Sequence, residues 1–444
     1  MISLKLKEIA AFCGGKLFGD GETLVSSVTK DSRETPDGSL YIALRGERFD
    51  GNDFIKNAYE GGAAAALGEA ECSFSKPYVM VKDGKQALLD IAKGYRKKFD
   101  IPSVAVTGSV GKTTTKEMIA SVLSEKFNTL KTEGNFNNEI GMPLTVLRLD
   151  NCHEIAVFEM GMSHFGEIEN MTAVANPDMA VISNIGMSHI GNLGSRENIL
   201  KAKLEIVKGL KPNGVLAVNG DDEMLSKIGI PCVKYGIGEN CDIRGFNITE
   251  DEGGCTFETE MCGNAYKIRV NIPGRHNVYN ALAAIAVGLH FGVGPEKIVS
   301  GIGKAESVGS RMNIKNIGGI KLISDCYNAS PDSMRASLSV LKAEPGRKIA
   351  VLADMLEMGG FANDAHIEIG REAAFADAVL TVGHLGRLIA KGADGAKTVK
   401  SFDTNAEACG FLKTFLRPGD TVLVKGSNSM KLSEISEFIE VNFK

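Results

Sequence analysis

The stretch from Val104 to Glu117 constrains this chain more than any other, because it combines a strand, a glycine loop and a helix start. Residues 104–106 are apolar and mostly β-branched, which predicts a buried strand. Gly108 and Gly111 interrupt that run, and apolar residues recur at helical spacing after Lys112. This order of elements is the one in which phosphate-binding loops occur.

The residue types in this loop suit a nucleotide. Glycines let backbone N–H groups approach phosphate oxygens, and a helix N-terminus adds partial positive charge. Lys112 can reach the β- and γ-phosphates, while the Thr113 hydroxyl can bind Mg²⁺. Val106 stands where the full Walker pattern has glycine, so the loop is a shortened variant. The alternative is a glycine turn that only opens a helix. The candidate nucleotide contacts are Gly108, Ser109, Gly111, Lys112, Thr113 and Thr114.

Composition limits the class of protein. The 444 residues are 43% hydrophobic and 24% charged, which predicts an ordinary globular chain of two to four domains. The net charge of −5, without a basic tail, argues against nucleic-acid binding. Nine cysteines without a CxxC pair predict free thiols in a reducing cytoplasm. The first fifteen residues predict an amphipathic helix, and no apolar run is long enough for a membrane span.

The chain divides into three predicted α/β domains. Residues 1–82 form a small N-terminal domain, with strands at 38–44 and 78–81 and a helix at 57–66. Residues 83–312 form a central P-loop domain with a mostly parallel sheet, including a hairpin whose turn is Gly263-Asn264. From residue 313 to 444 strands and helices alternate again, which predicts a third domain of Rossmann-like type. Its predicted strands are 321–324, 349–352, 378–382 and 421–424, and its predicted site-forming loops include 325–332, 354–360 and 425–431.

Polar residues follow several predicted strands of the central domain. Glu159 comes directly after the strand 155–158, and His189 lies in the loop after 179–183. Open α/β sheets build their sites at such carboxyl ends. A lone acid there is usually a helix cap, and a lone histidine is usually structural. Their presence in one sheet with a P-loop favours metal and substrate contacts. Asn277 and Asn280 lie on one face near a helix start, where they could cap the helix or bind a base.

The N-terminal domain carries a weaker signal. Ser32, Arg33 and Arg48 give it the capacity to bind an anion, although a solvated loop is the commoner meaning of such spacing.

Taken together, five motifs resemble the Mur ligases. The resemblance spans all three domains, from Asp31-Ser-Arg33 to Val424-Lys-Gly-Ser427. Within the family, the P-loop motif and Asp325-x-Tyr-Asn-Ala are most similar to the member that uses D-alanyl-D-alanine. The motifs are Thr107-Gly-Ser-Val-Gly-Lys-Thr-Thr-Thr-Lys-Glu117, Gly134-Asn-Phe-Asn-Asn-Glu-Ile-Gly-Met-Pro143, Glu159-Met-Gly-Met162, His189 with Gly194-Ser-Arg-Glu-Asn-Ile-Leu-Lys-Ala-Lys203, and Gly274-Arg-His-Asn-Val-Tyr-Asn-Ala-Leu-Ala283.

The resemblance implies a cytoplasmic, monomeric enzyme of peptidoglycan synthesis. It would join D-alanyl-D-alanine to UDP-N-acetylmuramoyl-tripeptide, using ATP. The tripeptide carboxylate attacks the γ-phosphorus, and the dipeptide amine then attacks the resulting acyl phosphate. No nucleic acid or membrane span is implied. Phosphoryl transfer of this kind needs charge neutralisation and alignment more than covalent help.

The resemblance also implies individual roles. Lys112, His189 and Lys203 would be catalytic. Two Mg²⁺ ions would be held by Thr113, Glu159, His189 and Lys203, the last as a carbamate formed with CO₂. The other implied contacts are Asn138 for the γ-phosphate, Asn277 and Asn280 for adenine, Arg311 and Asp325 for the phosphate and ribose, Ser32 and Arg33 for the uridine nucleotide, and Tyr327 and Asn328 for the dipeptide.

The chain departs from the family pattern at three C-terminal positions, Ser330, Ala353 and Asn428, which concern the dipeptide pocket rather than the ATP chemistry. Two related activities stay open: a sister ligase that adds the third amino acid, and a folylpolyglutamate-type synthetase. A different class, a P-loop switch or motor, would hydrolyse ATP regardless of any amino-acid substrate.

Overall fold

The strands follow in chain order in the computed structural model, which describes residues 1–71, 76–306 and 312–444. They are β1 (Leu4–Lys5), β2 (Lys16–Phe18), β3 (Leu24–Val25), β4 (Ser27–Thr29), β5 (Ser39–Ile42), β6 (Ala65–Gly68), β7 (Tyr78–Met80), β8 (Ser103–Thr107), β9 (Thr129–Lys131), β10 (Ile155–Glu159), β11 (Met179–Ile182), β12 (Val215–Asn219), β13 (Val233–Gly236), β14 (Ile243–Asp251), β15 (Gly254–Met261), β16 (Asn264–Val270), β17 (Asn313–Ile317), β18 (Ile320–Asp325), β19 (Arg347–Ala353), β20 (Ala378–Val382), β21 (Thr398–Phe402) and β22 (Asp420–Lys425).

The α-helices alternate with these strands along much of the chain. They are α1 (Leu6–Cys13), α2 (Ile55–Glu60), α3 (Gly84–Arg96), α4 (Lys112–Ser124), α5 (Gly141–Val146), α6 (Glu167–Ala175), α7 (Ile190–Leu193), α8 (Arg196–Leu204), α9 (His276–His290), α10 (Pro295–Lys304), α11 (Pro331–Ala343), α12 (Ala362–Ala373), α13 (Gly386–Gly392), α14 (Asn405–Phe415) and α15 (Ser433–Asn442). None of these helices is long and apolar enough to cross a lipid bilayer.

The chain forms two compact units. The first contains Met1–Thr107, Lys126–Val181 and Leu204–Leu216, and the second contains Gly108–Glu125, Ile182–Lys203 and Ala217–Lys444. In the first unit, an N-terminal sheet has the strand order β2-β7-β6-β5-β4. Its strands are parallel except for β2, which pairs with β7 in the antiparallel sense.

A second run of strands in the first unit has the order β11-β8-β10-β9. Both β8 and β9 pair with β10 in parallel, so the carboxyl ends of these strands lie at one edge. Every residue of β8 and β10 is buried, as expected for strands covered on both faces. Glu159 is the last residue of β10 and pairs in register with Val106 of β8.

The second unit begins with the helix that follows the glycine loop. This helix, α4, packs against α9 and α10. A run of strands in the order β16-β15-β14-β13-β12 also belongs to this unit. β14, β15 and β16 form an antiparallel meander, whereas β12, β13 and β14 are parallel neighbours.

The C-terminal part of the second unit is built on a sheet with the order β17-β18-β22-β19-β20-β21. Only β17 runs antiparallel to its neighbour. Apolar residues of the inner strands and of α14 and α15 form one buried cluster. The register places Asp325 beside Lys425 at the carboxyl ends of β18 and β22.

The α/β class with mostly parallel sheets is confirmed, and four local predictions need correction. Helix 57–66 is wrong, since α2 ends at Glu60 and residues 65–68 form the buried strand β6. The predicted N-terminal helix covers only 6–13. The hairpin turn lies one residue earlier than predicted, at Cys262 and Gly263, which both have positive φ. Predicted strand 179–183 ends at Ile182.

Candidate active site

The glycine loop has a backbone that only glycine allows at position 108. Gly108 has a φ of +152°, and a Cβ added there would lie 1.9 Å from the Ser183 hydroxyl oxygen. A side chain at this position is therefore excluded both by backbone conformation and by space. The loop then leads directly into α4, whose first residue is Lys112.

Two residues just past β11 hold this loop in place, and sequence reasoning missed both. Asn184 accepts from the Val110 N–H and donates to the Val110 carbonyl, each at 2.9 Å. Ser183 also donates to the Val110 carbonyl, at 2.7 Å. Their position after an apolar strand was the available signal, because such polar residues cluster at the carboxyl ends of parallel strands.

Lys112 lies over the loop that precedes it. Its ammonium donates to the carbonyl oxygens of Gly108 at 2.9 Å and Ser109 at 3.3 Å. Thr113 is buried and follows in the first turn of α4. The lysine therefore places its charge at the mouth of the loop, where a phosphate would lie.

Lys203 is the most unusual lysine of the second unit. It is only 1% exposed, and its ammonium makes no hydrogen bond or ion pair with any residue in the described part of the chain. Burial and then the charge of Lys112 lower the pKa of Lys203 well below its ordinary value. An amine held in the neutral form is a nucleophile, unlike an ammonium.

His189 has a strained backbone and a carboxylate partner. Its φ is +63°, in the left-handed region that few residues other than glycine adopt. Its Nδ1 atom lies 2.8 Å from Glu357 Oε2, although no atom of the described residues is aligned with that nitrogen as a hydrogen bond requires. The close polar contact with the His189 ring, followed by the charges of His189 and Lys112, outweighs burial and holds the pKa of Glu357 below its usual range. Glu357 was not named individually from the sequence, although it lies in the predicted site-forming loop 354–360.

Glu159 is fully buried in the first unit. The Asn137 amide donates to Glu159 Oε1 at 2.7 Å, and the Glu159 N–H donates to the Thr132 hydroxyl at 3.0 Å. Asn137 orients the carboxylate and Thr132 binds the backbone of Glu159, and neither was singled out from the sequence.

The Asn138 side chain binds the backbone at the start of α5 and keeps its amide donors available. Its Oδ1 accepts from the N–H groups of Ile140 and Gly141, at 3.1 and 2.8 Å. Its Nδ2 makes no hydrogen bond to a described residue, and the side chain is exposed. An exposed amide with two free donors is suited to a phosphate oxygen.

Asn277 and Asn280 are committed to contacts within the protein. The Thr115 hydroxyl donates to Asn280 Oδ1, Asn280 donates to Asn277 Oδ1, and Asn277 donates to the Pro273 carbonyl, all at 2.8–2.9 Å. Both side chains are buried. This chain of amides ties the start of α9 to α4, so the structure gives them a helix-positioning role. A contact with adenine stays a prediction.

Asp325 forms a buried ion pair with Lys425. The Lys425 ammonium lies 2.5 Å from Asp325 Oδ2 and donates to the Asn328 carbonyl at 3.0 Å. The Ser337 hydroxyl donates to Asp325 Oδ2 at 2.7 Å. Burial acts to raise the pKa of Asp325, but the Lys425 charge outweighs it and the pKa is lowered.

The remaining candidates are placed as follows. Arg33 is exposed and binds the Asp31 carboxylate through two nitrogens, at 2.8 and 2.6 Å, with Ser32 half-buried between them in sequence. Tyr327 and Asn328 are half-buried in the loop after β18. Arg311 lies outside the described residues.

The second unit therefore brings together Lys112, His189, Lys203 and Glu357, which are distant in sequence. The described residues contain no group of three or more histidine, cysteine or acidic side chains arranged to hold a metal. Judged by chemistry alone, the Thr113 hydroxyl of the second unit and the Glu159 carboxylate of the first unit each suit Mg²⁺, a hard cation that prefers oxygen ligands, and the His189 imidazole of the second unit offers a nitrogen donor. A carbamate on buried, unpartnered Lys203 would add two more oxygens.

Three protein-family models match segments that together make up most of the chain. Residues 24–96 match the family model described as the Mur ligase family catalytic domain. Residues 106–288 match the Mur ligase middle domain, and residues 310–428 match the Mur ligase glutamate ligase domain. The chain thus carries N-terminal, central and C-terminal Mur ligase domains.

Full-length relatives agree. The UDP-N-acetylmuramoyl-tripeptide–D-alanyl-D-alanine ligase of Bacillus subtilis (strain 168) is 41% identical, with 98% of each chain covered. The structure is similar to that of MurF from Acinetobacter baumannii, with a TM-score of 0.93 at 32% identity over 99% of both chains. MurF from Thermotoga maritima, solved in complex with ADP, has a TM-score of 0.85 at 30% identity, covering 94% of this chain and 98% of that chain. The resemblance inferred from the motifs is confirmed, and the chain belongs to the Mur ligase family.

Proposed function

We propose that this protein joins D-alanyl-D-alanine to UDP-N-acetylmuramoyl-tripeptide, with ATP converted to ADP and phosphate. The observation that carries the proposal is the grouping of the P-loop Lys112 with His189 and a buried, unpartnered Lys203 in one unit. A P-loop alone fits many nucleotide-binding proteins. The further pair of His189 and Lys203 suits an enzyme that must stabilise an acyl phosphate as well as bind a nucleotide.

The first step forms the acyl phosphate. The terminal carboxylate of the tripeptide attacks the γ-phosphorus, and ADP leaves. Lys112 neutralises charge on the phosphates, and the exposed amide of Asn138 donates to a γ-phosphate oxygen. Thr113, Glu159 and His189 would hold Mg²⁺, which would supply further charge neutralisation at the phosphates when bound.

The second step forms the amide bond. The amine of D-alanyl-D-alanine attacks the acyl carbon, the C–O bond to phosphate breaks, and inorganic phosphate leaves. Tyr327 and Asn328 would position the dipeptide, and Lys425 fixes the backbone of their loop. Effective catalysis requires this orientation, because a correctly positioned amine lowers the entropic cost of the reaction.

Lys203 has the properties that carbamylation needs. Its amine is buried and lies beside a positive charge, both of which favour the neutral form that attacks CO₂. The amine nitrogen bonds to the carbon of CO₂ and releases a proton to solvent, which leaves a carbamate anion whose oxygens would be ligands for Mg²⁺.

Other contacts follow the family pattern. Ser32 and Arg33 would bind the uridine nucleotide, and Arg33 would then exchange part of its pairing with Asp31 for phosphate. Asp325 and Arg311 would contact the ribose and phosphates of ATP, and Asn277 and Asn280 would lie at adenine. The boundaries 1–82, 83–312 and 313–444, the cytoplasmic location and the monomeric state stay predictions.

The deciding experiment measures phosphate release with ATP and UDP-N-acetylmuramoyl-tripeptide, with and without D-alanyl-D-alanine. We expect release to depend on both substrates and to match formation of the pentapeptide product. Release that ignores both substrates would favour a P-loop switch or motor. Product formed instead from the UDP-dipeptide and a single amino acid would indicate the sister ligase, and glutamate addition to a folate would indicate the synthetase.

A further inference from the structure

The loop that carries His189 is held by the C-terminal part of the second unit. The Met187 N–H donates to Asp332 Oδ2 at 2.9 Å, and the Gly191 N–H donates to the Glu357 carbonyl at 3.1 Å. The third contact is the side-chain pair of His189 and Glu357, at 2.8 Å. The C-terminal part therefore contacts His189 itself and the residues on both sides of it.

The fit between these two segments is close. A Cβ added to Gly191 would lie 2.7 Å from the Gly359 nitrogen and 3.0 Å from the Glu357 carbonyl oxygen. No side chain larger than hydrogen can occupy position 191 while these backbones stay in contact. The His189–Glu357 pair thus belongs to a packed backbone contact, which distinguishes it from an ion pair between two mobile surface side chains.

We infer that Glu357 is a positioning residue for His189, holding its Nδ1 atom so that Nε2 is presented to the reacting phosphate and its metal. The inference rests on the proposed function, in which His189 is a metal ligand. Nε2 makes no hydrogen bond to a described residue, so it is available to a ligand. Metal-binding histidines commonly donate their other ring N–H to a carboxylate, which fixes the tautomer and the ring orientation. Glu357 is placed for this role, because its Oε2 lies 2.8 Å from Nδ1. The two side chains are not aligned as a hydrogen bond in this structure, so the ring or the carboxylate must turn to form it.

The position of Glu357 in the fold connects the His189–Glu357 pair with the residues proposed to bind the dipeptide. Glu357 follows β19 of the C-terminal sheet, and Tyr327 and Asn328 follow β18 of the same sheet. The part of the chain that would bind the dipeptide therefore also orients a ligand at the phosphate end of the reaction. His189 would be correctly oriented only while this contact is made.

A purely structural ion pair is the competing explanation. Glu357 is 44% exposed and His189 is 18% exposed at the side chain, and a pair this exposed contributes little to stability. Replacing Glu357 would then change neither the metal affinity nor the tautomer of His189.

The test compares Glu357→Gln and Glu357→Ala with the parent enzyme. Glu440→Gln is the matched control, because Glu440 forms an ion pair of similar length, 2.7 Å, with Lys315 elsewhere in the C-terminal part. The first readout is Mn²⁺ binding by paramagnetic resonance, in the presence of a non-hydrolysable ATP analogue and UDP-N-acetylmuramoyl-tripeptide. We expect 10- to 100-fold weaker binding at one site for both Glu357 variants, and parent-like binding for the control.

The second readout is the tautomer of His189, observed by ¹⁵N NMR of histidine-labelled protein without metal and assigned with His189→Gln. We expect the Nδ1–H tautomer in the parent enzyme and a mixture in Glu357→Ala. Unchanged Mn²⁺ binding, or weaker binding with an unchanged tautomer, would overturn the inference, since the latter makes Glu357 a direct ligand. Failure of the proposed function is seen separately, as absence of substrate-dependent phosphate release in the parent enzyme.

Discussion

The ammonium of Lys425 lies between the Asp325 carboxylate, at 2.5 Å, and the Asn328 carbonyl, at 3.0 Å. One buried cation therefore fixes both ends of the loop that carries Tyr327. The Lys425 side chain is 2% exposed and that of Asp325 is 14% exposed. Water can replace neither partner well, so the pair matters more for loop position than an exposed ion pair would.

Lys425→Met tests this pair. Removing the cation leaves a buried carboxylate without its counter-charge, so we expect a loss of roughly 3–5 kcal/mol in the free energy of unfolding. Urea denaturation followed by circular dichroism measures the loss. The double variant Lys425→Met with Asp325→Asn should recover part of it, because the unpaired charge is gone. A loss below about 1 kcal/mol in the single variant would contradict this prediction, because it would mean that the pair contributes no more than an exposed ion pair does.

The same pair predicts a pH dependence of stability. The folded-state pKa of Asp325 is lowered from its ordinary value of 3.8, so its contribution is present above the unfolded-state pKa. That contribution is lost as the pH falls below about 4 and through the lowered pKa. We expect the stability difference between the parent protein and Asp325→Asn to shrink as the pH is lowered from 6 to 3. A difference that stays constant over this range would contradict the prediction.

Lys112→Ala should abolish ligation while the fold survives. Loss of the cation at the mouth of the loop removes charge stabilisation from the phosphoryl transfer step, on the order of 10²-fold or more in rate. Coupled measurement of ADP formation gives the rate, and thermal unfolding gives the stability. Lys413→Ala, at an exposed position of α14, is the control. Turnover close to that of the parent enzyme would contradict the proposal that this loop binds the phosphates of ATP.

Lys203→Ala should lose most activity, and small carboxylates such as formate or acetate should restore part of it. The added anion would fill the place of the carbamate oxygens. ¹³C NMR with labelled bicarbonate gives a second measurement, in which a carbamate signal is present in the parent protein and absent from the variant. Full activity of the variant, or no carbamate signal in the parent protein, would exclude the modification.

The sequence predicted best where local chemistry decides the structure. The strand, loop and helix at 103–124 are present because Gly108 and the apolar run before it leave few alternatives. The core strands of the C-terminal sheet were also predicted, since continuous apolar runs indicate strands buried on both faces. The edge strands β17 and β21 were missed, because partly exposed edges carry mixed sequences such as Asn313-Ile-Lys-Asn-Ile317.

The site was predicted less completely, and the missing residues share one property. Asn184 was missed, and Glu357 and Lys425 were predicted only as parts of site-forming loops. All three act through partners that are far away in sequence, and no local spacing reveals such pairs. For Asn277 and Asn280, the i, i+3 spacing left helix capping and base binding open. Their amides bond to one another and to Thr115 in the structure, and a contact with adenine stays a prediction. Of the departures from the family pattern, Ser330 caps α11, Ala353 is buried in β19 and Asn428 is exposed.

The left-handed backbone of His189 makes folding stability and the function of the side chain conflict at a single position. A β-carbon in that conformation costs on the order of 1–2 kcal/mol, which glycine avoids and asparagine reduces. Laboratory evolution for heat resistance alone would therefore favour glycine or asparagine at residue 189. The resulting thermostable variant would lack the imidazole of His189. Selection that also requires cell-wall precursor synthesis should retain His189, and stabilising substitutions should then occur at other positions.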